Sequence, residues 1–192
     1  MAPKPPPTSV PPGKLTPQKM CQIIAMLQPK DAIVVDESLT SGTGYFDVSM
    51  GCPPFAHLCL TGGAIGQGMP CAVGAALACP DRKVINIQAD GSGLYTAQAL
   101  YTEVIEKLNV VTVICANDTY QILRVEQRKQ GVKVDTDPTD GSPPNNLTSL
   151  KGPTINWVCI GKGYGVPATE VNTAEDFQSA FGAQAAAHLG AP

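Results

Sequence analysis

The sequence predicts an α/β fold, doubly wound, with a mainly parallel sheet and helices on both faces. Three observations carry it. Short apolar runs of strand length alternate with segments of helical period along most of the chain. The runs end in polar or glycine-rich turns, among them Asp36-Glu37-Ser38, Asp90-Gly91-Ser92 and Asn117-Asp118-Thr119. Open α/β sheets bind ligands at the carboxyl ends of their strands, which is where those turns fall. Finally, 192 residues suffice for one domain with a proper core.

Taken in order, residues 1–13 read as a Pro-rich linker, with proline at 3, 5, 6, 7, 11 and 12, and residues 14–192 as the domain. Thr16 is placed to cap a helix with Pro17 at its first position. Met20, Ile23, Ile24 and Leu27 give that helix one buried face. Ala32 to Val35 reads as a buried strand. The hydroxyl- and glycine-rich turn after it suits an anionic group, because free N–H groups and hydroxyls converge there. His57 to Thr61 is a second strand, leading into Gly63-Ala64-Ile65-Gly66-Gln67-Gly68. That loop is not a dinucleotide fingerprint, since its glycine order is wrong and no acidic residue closes a ribose site.

The helix after Gln67 is rich in small residues (Ala72, Gly74, Ala75, Ala76, Ala78), which lets it lie close to a sheet. Lys83 to Gln88 is a strand of β-branched residues alternating with polar ones. A helical stripe of Leu94, Ala97, Tyr101, Val104 and Leu108 follows, then a strand from Val110 to Ala116 and a helix from Tyr120 to Gln130 stopped by Gly131. Residues 131–154 are too polar and too long for an ordinary connection and read as a mobile loop. Its sequon Asn146-Leu147-Thr148 is a chance match. Ile155 to Lys162 is expected as a short helix carrying Trp157 inward, and Val166 to Val171 as a strand. Thr173-Ala174-Glu175-Asp176 opens a last helix as a capping box, with Phe177, Phe181 and Ala185 on one face and Gly190 at its end.

Composition narrows the function classes. Net charge is −3 with no basic block, which disfavours nucleic acid and membrane surfaces as partners. The longest apolar run is too short to span a bilayer. The seven cysteines form no Cys-x-x-Cys pair and read as small buried thiols in a reducing compartment. His57 and His188 belong to no recognisable triad and are expected at the surface. The N-terminal residues lack both a signal peptide's apolar core and a transit peptide's arginines. The compartment read from these features is the cytoplasm. An organelle stays open, because the Met1 start looks like a cut inside a longer protein.

Asp90 and Asn117 are the chemical centre. A hard cation that keeps a water and two phosphate oxygens needs few protein oxygens. Asp90, Asn117 and one backbone carbonyl would complete six-fold coordination. The first turn of the helix that follows, with Gly91 and Ser92, offers N–H groups to phosphate.

This arrangement resembles the thiamine-diphosphate-dependent enzymes, whose motif is an aspartate-glycine pair, some two dozen residues and an asparagine. Here 24 residues lie between Gly91 and Ala116. Ala89 stands where the family usually has glycine, and Ala116-Asn117 where it often has two asparagines; neither departure removes a metal ligand. Leu60-Thr61-Gly62-Gly63-Ala64-Ile65-Gly66-Gln67-Gly68-Met69-Pro70 is similar to a loop of acetolactate synthase large subunits and benzoylformate decarboxylases. Asn117-Asp118-Thr119-Tyr120-Gln121-Ile122-Leu123-Arg124 resembles their stretch after the metal asparagine. The resemblance covers about residues 14–189 and only the C-terminal cofactor-binding domain of proteins with roughly three such domains.

The resemblance implies thiamine diphosphate and Mg2+ as cofactors, with the metal on Asp90, Asn117 and Thr119. It puts the diphosphate against Thr40 and Ser41 on one side and Gly91, Ser92 and Tyr120 on the other. The Gly63 carbonyl would accept from the aminopyrimidine, with Ala64 beside it and Ile65 wedged beneath the cofactor. Residues 131–154 would close over the site, and residues 1–13 would join a preceding domain. One further strand, expected after the last helix, is missing.

The activating glutamate belongs to another domain, contributed by a neighbouring subunit in a homo- or hetero-oligomer. None of Glu37, Glu103, Glu106, Glu126, Glu170 or Glu175 has that context, so no catalytic residue is assigned. Without that domain, apolar surface around Ile65 and Met69 is expected to be exposed. Three readings follow. The chain is the cofactor-binding domain or subunit of an acetolactate-synthase-like enzyme acting on a 2-oxo acid, inactive alone; or a non-catalytic remnant that still binds the cofactor; or a different doubly wound domain such as a nicotinamide binder.

Overall fold

Four of the apolar runs form strands, all paired in parallel: β1 (Ile33–Glu37), β2 (Ala56–Cys59), β3 (Val84–Ala89) and β4 (Val110–Cys115). The computed structural model describes residues 5–132 and 146–187. Most of the expected mobile loop (133–145), His188 and Gly190 lie outside the described residues. The sheet order is β2-β1-β3-β4. The chain steps outward from β1 to β2, then crosses back over β1 to start β3. The reversal places a topological switch point between β1 and β3, the crevice where such sheets take ligands.

Helices cover both faces: α1 (Pro17–Leu27), α2 (Tyr45–Ser49), α3 (Gly68–Ala78), α4 (Asp90–Gly93), α5 (Ala99–Ile105), α6 (Gln121–Lys129), α7 (Trp157–Gly163) and α8 (Ala174–Ala186). On one face Val34, Ile85 and Ile87 meet Met20, Ile23 and Ile24 of α1, Tyr45 of α2, and Phe177 and Phe181 of α8. The two phenylalanine rings stack with centroids 5.6 Å apart. On the other face Ile33, Val35, Val84 and Val110 lie under Ala72 and Ala76 of α3, with Leu108. Strand side chains alternate between faces, so this second face continues into Glu37 on β1 and into Asn86 and Gln88 on β3.

The caps follow local chemistry. Thr16 Oγ1 accepts from Lys19 N at 3.3 Å, and Thr173 Oγ1 from Asp176 N at 3.2 Å. The Lys83 ammonium donates to the carbonyls of Gln184 (2.9 Å) and Ala187, satisfying the far end of α8. Gly13 N donates to both oxygens of Glu175, at 3.1 and 2.9 Å, while Val10 and Leu15 pack against the α1–α8 core.

The strand expected at Lys83 to Gln88 is present as β3 with its alternation intact, and all six of its residues are buried, polar ones included, because a central parallel strand is covered on both sides. Several other expectations are corrected. The stripe from Leu94 to Leu108 is not one helix: α4 stops at Gly93, turns follow, and α5 starts at Ala99. The face of α5 that turns inward carries Leu100 and Glu103, so Tyr101, Val104 and Ile105 stand exposed, as do Leu94 and Tyr95 in the turns before it. Residues 166–171 form no strand; Pro167 removes a ladder donor there. Cys21 is buried and Cys52, Cys79 and Cys115 are half-buried, but Cys59, Cys71 and Cys159 are exposed; all seven are free thiols.

Candidate functional site

The site is built on the turns that follow β1, β3 and β4. Asp90, 1% exposed, receives Gly91 N on Oδ1 at 2.8 Å. Its Oδ2 accepts from Asn117 N at 2.8 Å and from Asp118 N at 2.7 Å. One carboxylate therefore ties the ends of β3 and β4 together. Asp118 adopts a left-handed φ of 54°, which Asp tolerates better than most residues and which turns its N–H inward. The expected partner of Asp90, Asn117, meets it through backbone, and the Asn117 residue itself is exposed. Thr119 is buried, and its carbonyl accepts from Gln121 N at 2.9 Å.

A cleft runs between the Ser38–Thr40 turn and the residues around Asp90 and Asn117–Tyr120. Thr40 lines it. Ser41 lies behind, its hydroxyl against the Cys115 thiol. Tyr120 reaches over Gly91: its hydroxyl donates to the Gly91 carbonyl at 3.4 Å, and a Cβ at position 91 would stand 2.7 Å from its Cδ1. Burial raises the Tyr120 hydroxyl above its ordinary pKa, with Tyr95 and Asp90 adding to the shift. Between these groups the cleft holds about 20 Å3, room for about one water.

The donor set fits a hard cation and a diphosphate in kind, with a carboxylate, an amide, a carbonyl, hydroxyls and N–H groups at one strand edge. Among the described residues no group of three His, Cys, Asp or Glu side chains converges on a metal site. A cation here would complete its shell with ligand oxygens.

The glycine loop stands at the same edge but outside this cleft. Gly62 and Gly63 take left-handed φ values of 64° and 73°. Gly63 and Ala64 are exposed and Ile65 is half-buried. Thr96 Oγ1 donates to the Gly66 carbonyl at 3.0 Å, which fastens the loop to the segment after α4. Met69 is fully buried, not exposed as expected, because it starts the inner face of α3. Ser92 faces inward: its hydroxyl accepts from Gln88 Nε2 at 2.6 Å and lies 3.2 Å from the carbonyls of Ala89 and Glu37.

Residues 148–150, part of the segment expected to close over the site, fold back onto it: Tyr120 N donates to Thr148 O and Leu150 N to Asp118 O, both at 2.8 Å. Sequence reasoning missed the role of Glu37, whose carboxylate sits inside the glycine loop; its signal was a lone acid at the end of a buried strand. His57 is not a surface residue. It stacks edge-on against Tyr45, with Nε2 3.7 Å from Asp36 Oδ2 and 3.5 Å from Cys59 Sγ. Burial alone would raise Asp36, but hydrogen bonds from His57 and Ser38 outweigh it and hold the carboxyl below its ordinary pKa. Both partners of His57 fall on one nitrogen, and burial and Asp36 push the Cys59 thiol up, so this trio forms no nucleophilic relay.

Residues 43–190 match the family described as thiamine pyrophosphate enzyme, C-terminal TPP binding domain. Over 172 residues the chain is 42% identical to a Mycobacterium tuberculosis protein named as acetolactate synthase large subunit IlvX, covering 90% of this chain and 33% of that one. It is 33% identical to benzoylformate decarboxylase of Pseudomonas aeruginosa, covering 93% and 32%. A solved thiamine diphosphate-dependent 4-hydroxybenzoylformate decarboxylase from Rhodococcus jostii superposes with a TM-score of 0.74 at 34% identity, covering 94% of this chain and 32% of that one. The chain thus spans about one third of the length of the proteins it matches.

Proposed function

Because the chain belongs to the thiamine pyrophosphate enzymes, as their C-terminal TPP-binding domain, we propose that it is the Mg2+- and thiamine-diphosphate-binding domain or subunit of an acetolactate-synthase-like enzyme. The enzyme acts on a 2-oxo acid by decarboxylation or carboligation, and this domain alone is inactive. The observation that carries the reading is the buried Asp90 carboxylate at the sheet's switch point, tied to both Asn117 and Asp118. When bound, the cofactor supplies an electron sink next to a substrate carbonyl. The protein's share is to hold and orient it. Asp90, Asn117 and the Thr119 carbonyl hold the metal. Thr40, with Ser41 behind it, and Gly91, Ser92 and Tyr120 flank the diphosphate, while Gly63, Ala64 and Ile65 meet the rings.

The partner is a domain or subunit bearing the glutamate that activates the aminopyrimidine. Exposed Leu94, Tyr95, Tyr101, Val104 and Ile105 support such an association, in a homo- or hetero-oligomer. Seven free thiols suit a reducing compartment, the cytoplasm or an organelle. No helix among the described residues is long and apolar enough to cross a membrane.

Calorimetric titration of the full chain tests the reading. Thiamine diphosphate with Mg2+ should bind the wild type, and Asp90→Ala should abolish binding; equal binding by both proteins removes the assignment. Pyruvate added to the loaded chain should yield no acetolactate or carbon dioxide above a cofactor-only control until a glutamate-bearing partner is supplied.

A further inference from the structure

Glu37 sits where an activating acid would be sought, at the carboxyl end of β1 and 1% exposed. Its lone pairs are already committed. Oε1 accepts from Gly66 N at 2.7 Å and Gln67 N at 3.1 Å; Oε2 accepts from Gly68 N at 2.9 Å and Gln88 Nε2 at 2.7 Å. An ionised carboxylate offers about four acceptor positions, and the protein's own N–H groups take all four. Gln88 is the register partner of Glu37 across β1 and β3. Through its second N–H it reaches Ser92 Oγ at 2.6 Å, in the turn that carries Asp90.

The fit leaves no slack. A Cβ at Gly68 would lie 2.8 Å from both Cβ and Oε2 of Glu37. Gln88 Oε1 is buried beside the same glycine without a donor. Turning that amide over would set its oxygen against the Glu37 carboxylate, so the orientation is forced.

We infer that Glu37 is a positioning residue. Its carboxylate fixes the Gly66-Gln67-Gly68 turn, and with it Gly63 and Ile65, relative to the Asp90 pole, so that a two-ended ligand is gripped at both ends. The inference rests on the thiamine-diphosphate reading above. An amide cannot replace the carboxylate here. Whichever oxygen of Glu37 becomes an NH2, it faces two N–H donors.

The test is Glu37→Gln in the full chain, titrated in Mg2+ with thiamine diphosphate and separately with inorganic diphosphate. Thiamine diphosphate should bind about tenfold more weakly, while inorganic diphosphate, held only at the Asp90 pole, should change less than about twofold. Unchanged affinities, or an equal loss for both probes, overturns the inference. Should Glu37→Gln not fold, Glu37→Asp keeps the charge but draws the carboxylate one methylene back from the loop amides. It should lower thiamine diphosphate affinity about threefold and leave diphosphate alone, and equal effects again overturn the proposal. Amide hydrogen exchange decides the clamp without any ligand. The amides of Gly66, Gln67 and Gly68 should exchange at least about tenfold faster in the variant, with those of Asn117 and Asp118 unchanged. Acceleration at both places, or at neither, refutes it. If the wild type binds neither probe, the functional reading fails, and the exchange result still judges the clamp.

Discussion

The two faces of the sheet differ in how they change along the strands. Under α1, α2 and α8 the face stays apolar along β3 and β4, with Ile85, Ile87, Val111, Val113 and Cys115, and on β1 Val34 gives way at the last step to Asp36, which is paired with His57. Under α3 and α5 it begins apolar, with Ile33, Val35, Val84 and Val110, and ends in Glu37, Asn86 and Gln88. A buried polar group costs free energy unless it is paired. The second face accepts that cost near the ligand edge and meets most of it with hydrogen bonds, while leaving Asn86 Oδ1, Gln88 Oε1 and Glu103 Oε1 without partners. One face is scaffold; the other combines scaffold with site.

Four substitutions probe that division, from the largest expected effect downward. Phe181→Ala opens a cavity in the apolar face and should cost about 3–5 kcal/mol in denaturant melts. The surviving folded fraction should keep its cofactor affinity; a tenfold loss there would show that the faces are not separate.

Glu103→Gln works on the other face and should stabilise. Burial raises the Glu103 carboxyl from 4.5 to about 7. The folded state therefore holds the proton more tightly than the unfolded state. Stability is greatest below the unfolded value and declines as pH rises from there through the folded pKa near 7. The total loss is at most about 3 kcal/mol. Melts of Glu103→Gln between about pH 5 and 8 should lack this decline and show the gain at the alkaline end. A slope identical to wild type would mean that Glu103 is not the titrating group.

Gly91→Ala forces a methyl against the Tyr120 ring and should cost about 1–3 kcal/mol. Adding Tyr120→Ala should relieve most of the methyl's cost, and purely additive losses in the cycle would place the strain elsewhere. Lys83→Met keeps the aliphatic stem but drops two hydrogen bonds to the end of α8, at about 1–2 kcal/mol. Exchange should quicken only at that helix end, and a spread into β3 would join the two faces after all.

Strands and helix starts were legible because local chemistry decides them. The runs around Val34, Leu58, Ile87 and Val113 became strands, and Thr16 and Thr173 became caps. Asp90 was legible as the pivot for the same reason, through its place after a strand. The role of Glu37 was not, since its four donors lie 29 to 51 residues away. The stripe after Asp90 misled because periodicity gives a helix one apolar face without saying whether this domain buries it. Leu94, Tyr101 and Val104 have the pattern of a core and the exposure of a surface. Met69 failed in the opposite sense: a residue beside a loop turned out to open a buried helix face.

The chain contains a single tryptophan, and its position has a practical consequence. The indole of Trp157 rests on Gly93, where a Cβ would come within 2.9 Å of Cη2, and next to the Gln88 side chain. Gly93 closes the short turn that Asp90 opens. Indole emission shifts with the polarity and motion of its surroundings. A rearrangement of the Asp90 turn should therefore change the emission of one defined chromophore, and tryptophan fluorescence followed during a cofactor titration is the measurement that checks it.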